Sequence, residues 1–241
     1  MCLQTGPRAI LTQANRDALC GFVGYGVTSP AFVFLGPEEA SEGNLLNLQV
    51  RGAFPVPIHD RVDACNALAG AYHANGLGTA ARRYLAALQP GAEATWSLAA
   101  KLIAALRRRA KHPSLNGWQA EYLRLGTRTG DSLLAELFPL PKPGMGRWPA
   151  AYAVEFAYPD QDAYYADVWP RAVVPGAGNC HRADLMAATL ARIPMSRGVT
   201  IVCYGRGGNR AEFWERFDQL FQIGSGWHAV FPRTPTVAEV A

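Results

Sequence analysis

Five consecutive apolar residues, Ala31-Phe32-Val33-Phe34-Leu35, stand between Pro30 and Gly36. An apolar run of that length with no polar alternation suits a strand covered on both faces. Such strands belong to parallel sheets whose connections lay helices against the sheet. Three further segments read as strands: Ser132–Leu140, Val199–Tyr204 and Trp227–Phe231. Helical patterns lie between them, and strands alternating with helices predict a doubly wound α/β fold. The expectation is three α/β/α layers around a central, four-stranded, mostly parallel sheet, in a single domain over residues 1–241.

The helical segments carry their own signals. Apolar residues from Ile10 to Phe22 fall near helical spacing within a segment of residues 8–24. Asp60 opens a run to Ala74, Gly76-Leu77-Gly78-Thr79 breaks it, and a short helix continues to Leu88 before the Pro90-Gly91 turn. In residues 93–111, Trp96, Ala99, Ala100, Ile103 and Leu106 form one apolar face. The cations at the end of that segment suit either a solvated helix terminus or phosphate contact. Helices are also expected over Ala183–Ala191 and Glu212–Phe221. Pro139-Leu140-Pro141-Lys142-Pro143-Gly144 must form a rigid loop. The aromatics of residues 150–177 suit a satellite core or a wedge facing nucleic acid.

With 49% hydrophobic residues in 241, the chain can bury a sizeable core. It has no run long enough to span a bilayer and no signal-peptide pattern, so a cytoplasmic monomer with no membrane partner is expected. Five scattered cysteines without a Cys-x-x-Cys pair argue against a disulfide framework, a zinc site or an iron–sulfur cluster. No metal or other cofactor is expected. A net charge of +4 permits an anionic partner without demanding one.

In open α/β sheets, ligands bind beyond the carboxyl ends of the strands. The first strand ends in Gly36-Pro37-Glu38-Glu39, and these carboxylates suit hydrolytic chemistry. Pro followed by glutamates also suits the first turn of a helix, although Ser41, Gly43 and Asn44 soon interrupt one and favour a loop. The other strand ends carry Pro139–Lys142, Gly205-Arg206-Gly207-Gly208 and Pro232-Arg233-Thr234-Pro235. The glycines after Tyr204 lack dinucleotide-loop spacing, and neither a phosphate-binding Gly-x4-Gly-Lys loop nor a Gly-x-Ser-x-Gly elbow occurs.

The layout resembles the uracil-DNA glycosylase superfamily, as a divergent member, over roughly residues 25–235. Gly36-Pro37-Glu38-Glu39-Ala40 looks like its water-activating motif, and Arg51-Gly52-Ala53-Phe54 like the segment whose aromatic stacks on the flipped base. Leu133–Phe138 stands where the family has the strand bearing a base-reading Asn. Trp227–Pro235 stands where a strand runs into a His-Pro-Ser loop.

The resemblance implies a monofunctional DNA glycosylase acting in base excision repair on uracil or another deaminated base. Gly36 and Pro37 would line the base pocket, Phe54 would stack, and Glu136 would read the base edge. Glu38, with Glu39 next, would activate water, while Arg233 or His228 would stabilise the departing base. Lys142, Arg147 and Arg206 would grip phosphates. Two departures stand out: Glu136 replaces the Asn, and Phe231-Pro232-Arg233-Thr234-Pro235 replaces the His-Pro-Ser motif. A catalytically silent nucleic-acid binder of the same fold is the alternative reading.

Overall fold

The computed structural model describes residues 10–36, 43–107, 117–142, 148–169, 182–193, 199–204 and 228–230. Among them, six strands form one sheet in the spatial order β3-β1-β4-β2-β5-β6. The strands are β1 (Gly24–Gly26), β2 (Phe32–Gly36), β3 (Ile58–His59), β4 (Ser132–Glu136), β5 (Thr200–Cys203) and β6 (His228–Val230). β4, β2, β5 and β6 run parallel, as expected. The expected four strands are joined by β1 and β3, which pair parallel to each other, while β1 lies antiparallel to β4.

The helices are α1 (Gln13–Cys20), α2 (Leu45–Gly52), α3 (Arg61–Ala74), α4 (Gly78–Ala86), α5 (Ala94–Arg107), α6 (Trp118–Arg124), α7 (Ala150–Phe156), α8 (Gln161–Val168) and α9 (Arg182–Ala191). Local chemistry sets several of their starts. The Thr12 hydroxyl and the Asn15 side chain form a capping box at α1, so that helix begins later than residue 8. Asn44 caps α2, turning a segment expected as loop into helix after residue 44. The Asp60 carboxylate accepts from the amides of Val62 and Asp63, starting α3 where the sequence places it. The helix expected at 212–221 lies outside the described residues.

Period-two alternation divides the sheet between two cores. Val33 and Leu35 of β2, Leu133 and Ala135 of β4, and Ile201 and Cys203 of β5 share one buried cluster with Leu19, Tyr152, Tyr164 and Met186. Phe32, Phe34, Leu134 and Val202 face the other way, against Ala64 of α3 and Ala99, Leu102 and Ile103 of α5. This division follows from handedness. The chain crosses from β2 to β4 in one direction and returns from β4 to β5 in the other, and right-handed crossovers then place their helices on opposite faces. Three layers result.

Several side chains differ from expectation. Leu106 is exposed although its neighbours on α5 are buried. Arg107 is ion-paired with Glu121 at 3.0 Å and with Asp131, as a solvated helix end requires. The aromatics Tyr152, Tyr158, Tyr164 and Trp169 belong to the largest core cluster and present no wedge. Cys20 is disulfide-bonded, contrary to expectation, whereas Cys65 and Cys203 are free and buried.

Candidate functional site

The parallel strands give the molecule a switch point. β4 and β5 flank β2, and the connections leaving β2 and entering β5 run to opposite sides, so the crevice of a doubly wound sheet opens between the carboxyl ends of β2 and β5. Gly36 is paired with Glu136 on one side. On the other, Leu35 is paired with Cys203 and its carbonyl accepts from the Tyr204 amide at 3.0 Å, which brings Tyr204 level with Gly36. Glu136, Gly36 and Tyr204 therefore form one row across three strands, on the face that carries Leu134, Phe34 and Val202 beneath them.

The glycine matters because of its neighbour. The ring of Tyr204 leans over Gly36, and a Cβ on that residue would lie 2.6 Å from the tyrosine Cζ. The distal edge of the ring makes this approach, so the phenol reaches beyond its own strand to the end of β2. Glu136 is 7% exposed, a buried carboxylate at the carboxyl edge. Its amide donates to the Val23 carbonyl at 2.8 Å, fixing β4 against the entry to β1.

Beneath this edge lies Arg182 at the start of α9. It is fully buried, and its guanidinium donates to the carbonyls of Phe22, Glu136 and Leu137. Burial lowers its pKa to about 10, opposed by attraction to Tyr164 and to the Glu136 carboxylate. The same guanidinium thus ties the β1 entry to the end of β4 and sets positive charge near Glu136.

Because β1 and β3 run against β4, the chain enters β3 from the carboxyl edge. Phe54 lies on that approach, four residues before Ile58. Its ring stacks on His59 with centroids 4.5 Å apart, and His59 packs in turn on Phe22 at 4.8 Å. The α2 helix ahead of Phe54 is anchored by buried Arg51, which donates to Asn47 at 2.7 Å and to the Tyr25 hydroxyl at 2.5 Å. Phe54 thus stands on the same sheet face and edge as Glu136, but one side of its ring is already covered.

Other expected residues are placed differently. Lys142 is buried, with its ammonium donating to Gln161 and facing the Tyr165 ring at 6.0 Å, so it belongs to the core side of the rigid loop and does not grip a phosphate at the surface. His228 opens β6 in register with Ile201, three residues back from the level of Tyr204, or about 10 Å along the strand. It sits away from the carboxyl edge. Pro37, Glu38, Glu39, Arg147, Arg206 and Arg233 lie outside the described residues.

Tyr204 is the feature that sequence reasoning missed. An aromatic at a strand end is common, and its relation to Gly36 exists only once β2 and β5 are paired. Among the described residues no cluster of His, Cys, Asp and Glu is arranged to hold a metal ion, and no helix is long and apolar enough to cross a membrane. The site is that of a doubly wound α/β protein with a carboxylate and a phenol flanking a glycine at its switch point. Comparison with family models, with curated proteins and with solved structures finds no match.

Proposed function

We propose that this chain is a DNA glycosylase of the uracil-DNA glycosylase type, hydrolysing the N-glycosidic bond of uracil or a related deaminated base. One observation carries the reading: Glu136 and Gly36 stand side by side at the switch-point edge, with Phe54 arriving at the same edge. A flipped base needs a polar group to read its edge, a close backbone and an aromatic face. Those three elements converge there.

Glu38 by position, and Glu39 next, stabilises the positive charge developing on the sugar and orients the attacking water. Water adds at the anomeric carbon as the bond to the base breaks, leaving an abasic site. Arg233 remains the proposed group for the base anion, since His228 sits back from the edge. DNA is the partner, held in part by Arg147 and Arg206, and the enzyme works as a cytoplasmic monomer without metal or cluster.

The test is release of uracil from a labelled oligonucleotide, single-stranded and paired with guanine, without added metal. We expect alkali-sensitive cleavage at the uracil. Glu38→Gln should lower excision roughly 10²-fold or more while leaving DNA affinity intact. Full activity in that variant would remove Glu38 from the mechanism, and binding with no release of any damaged base would favour the silent binder.

A further inference from the structure

We propose that Glu136 makes this site selective for a purine lactam edge, as in hypoxanthine or guanine, over the uracil edge; the proposal rests on the glycosylase reading for its substrate being DNA. The argument begins with the row Glu136–Gly36–Tyr204. Gly36 contributes no side chain, so a planar base seated at the end of β2 meets the carboxylate on one flank and the phenol on the other. Adjacent strands lie about 4.8 Å apart, which sets the flanking backbones roughly 10 Å from each other. Tyr204 narrows that span from its side, so the base edge must face Glu136.

A charged carboxylate only accepts hydrogen bonds, and it has about four lone-pair sites, so bonds to the protein do not exhaust it. Arg182, buried and held by three carbonyls, supplies nearby positive charge that suits a charged Glu136. Uracil offers such an acceptor one N–H, set between two carbonyl oxygens that repel it. Hypoxanthine offers a ring N–H with a carbonyl on one side and a C–H on the other. Guanine offers a ring N–H beside an exocyclic amine, which a carboxylate accepts in a bidentate manner. The phenol of Tyr204 can donate or accept, so it tolerates a carbonyl on the far side. An amide in place of Glu136 would present both donor and acceptor and lose this discrimination.

The experiment is competition binding with single-stranded oligothymidines that carry one hypoxanthine, one guanine or one uracil, or none, using the wild type and Glu136→Gln. The wild type should hold the hypoxanthine and guanine strands at least about fivefold more tightly than the uracil strand, with guanine tightest. Glu136→Gln, shown by circular dichroism to be folded, should bring the three within about twofold of one another. Equal wild-type affinity for all strands overturns the proposal, as does a preference that survives in Glu136→Gln. Base release from the same strands separates the two claims. Selectivity without release leaves this inference standing and defeats the glycosylase reading, whereas release of uracil by a wild type that shows no preference does the reverse.

Discussion

Two glycines in this sheet have opposite tolerances. At Gly24, an added Cβ would meet the backbone of β4, with the Ala135 Cα 2.8 Å away and the Leu134 carbonyl oxygen nearer still. Backbone in a central strand cannot retreat without breaking its ladder. At Gly36 the obstacle is the far end of the Tyr204 side chain, which can turn aside. Gly24→Ala should therefore cost about 3 kcal/mol or more, and Gly36→Ala about 1 kcal/mol. Urea midpoints at constant slope would check both. In a Tyr204→Ala background the Gly36→Ala penalty should shrink, a coupling that a double-mutant cycle reads directly. Equal costs for the two glycines would mean that the packing at Tyr204 is as rigid as the sheet itself.

At the scale of elements, α3, α5 and α6 are joined by one cation. Buried Arg61, the first residue of α3, lies with its guanidinium 4.8 Å from the Trp96 ring and 5.0 Å from the Tyr122 ring. It also donates to the carbonyls of Leu125 and Tyr122 at 2.7 Å each. Burial lowers its pKa, and attraction to Tyr122 opposes the change. Tyr122 donates its hydroxyl to the Ala87 carbonyl at 2.7 Å, and burial raises its pKa above the usual 10. Above pH 10 the folded chain then keeps a proton that the unfolded chain loses, so this contribution to stability is complete below pH 10 and declines as pH rises through the folded value. Tyr122→Phe should cost about 1–2 kcal/mol at pH 7 through the orphaned carbonyl. That deficit should narrow above pH 10, as denaturation curves across pH 8–11 would reveal. A deficit that is flat with pH would place Tyr122 ionisation in the unfolded and folded chains at the same point.

These elements also show what the sequence could and could not reveal. The unbroken run in β2 and the Asp60 cap are local signals, and both elements fall where their residues direct. β1 and β3 were hidden for an equally physical reason. Gly24-Tyr25-Gly26 has the composition of a turn, and it is strand because the Leu134 carbonyl approaches too closely for any side chain. Ile58-His59 is two residues long and follows Pro55 and Pro57. For the candidate site, the glycine at the strand end and the neighbouring glutamate were legible. The burial of Lys142 and the reach of Tyr204 were not, because each depends on partners far away in the chain.

At the scale of the whole molecule, the sheet should be unevenly protected. β2 sits between two parallel partners and between both cores, and β4 pairs on both sides as well. Backbone amides of Val33–Leu35 and Leu133–Ala135 should exchange with deuterium only through near-global unfolding, while the two-residue edge strand β3 should open at a much lower free energy. Mass-spectrometric exchange resolves these segments, and comparable protection of β3 and β2 would contradict the arrangement of layers.

The grip of Arg182 on Phe22 spans 160 positions of chain, and β1 finds its partner β4 only after more than 100 residues. Such distant closures make a protein slow to fold, because chain entropy must be lost before the contacts that reward it can form. During synthesis, the first strand leaves the ribosome long before β4 exists and waits longer still for the arginine that locks it. The rim of the crevice is therefore among the last parts of the molecule to assemble, and a nascent chain ending before residue 182 would have most of its sheet but no finished site.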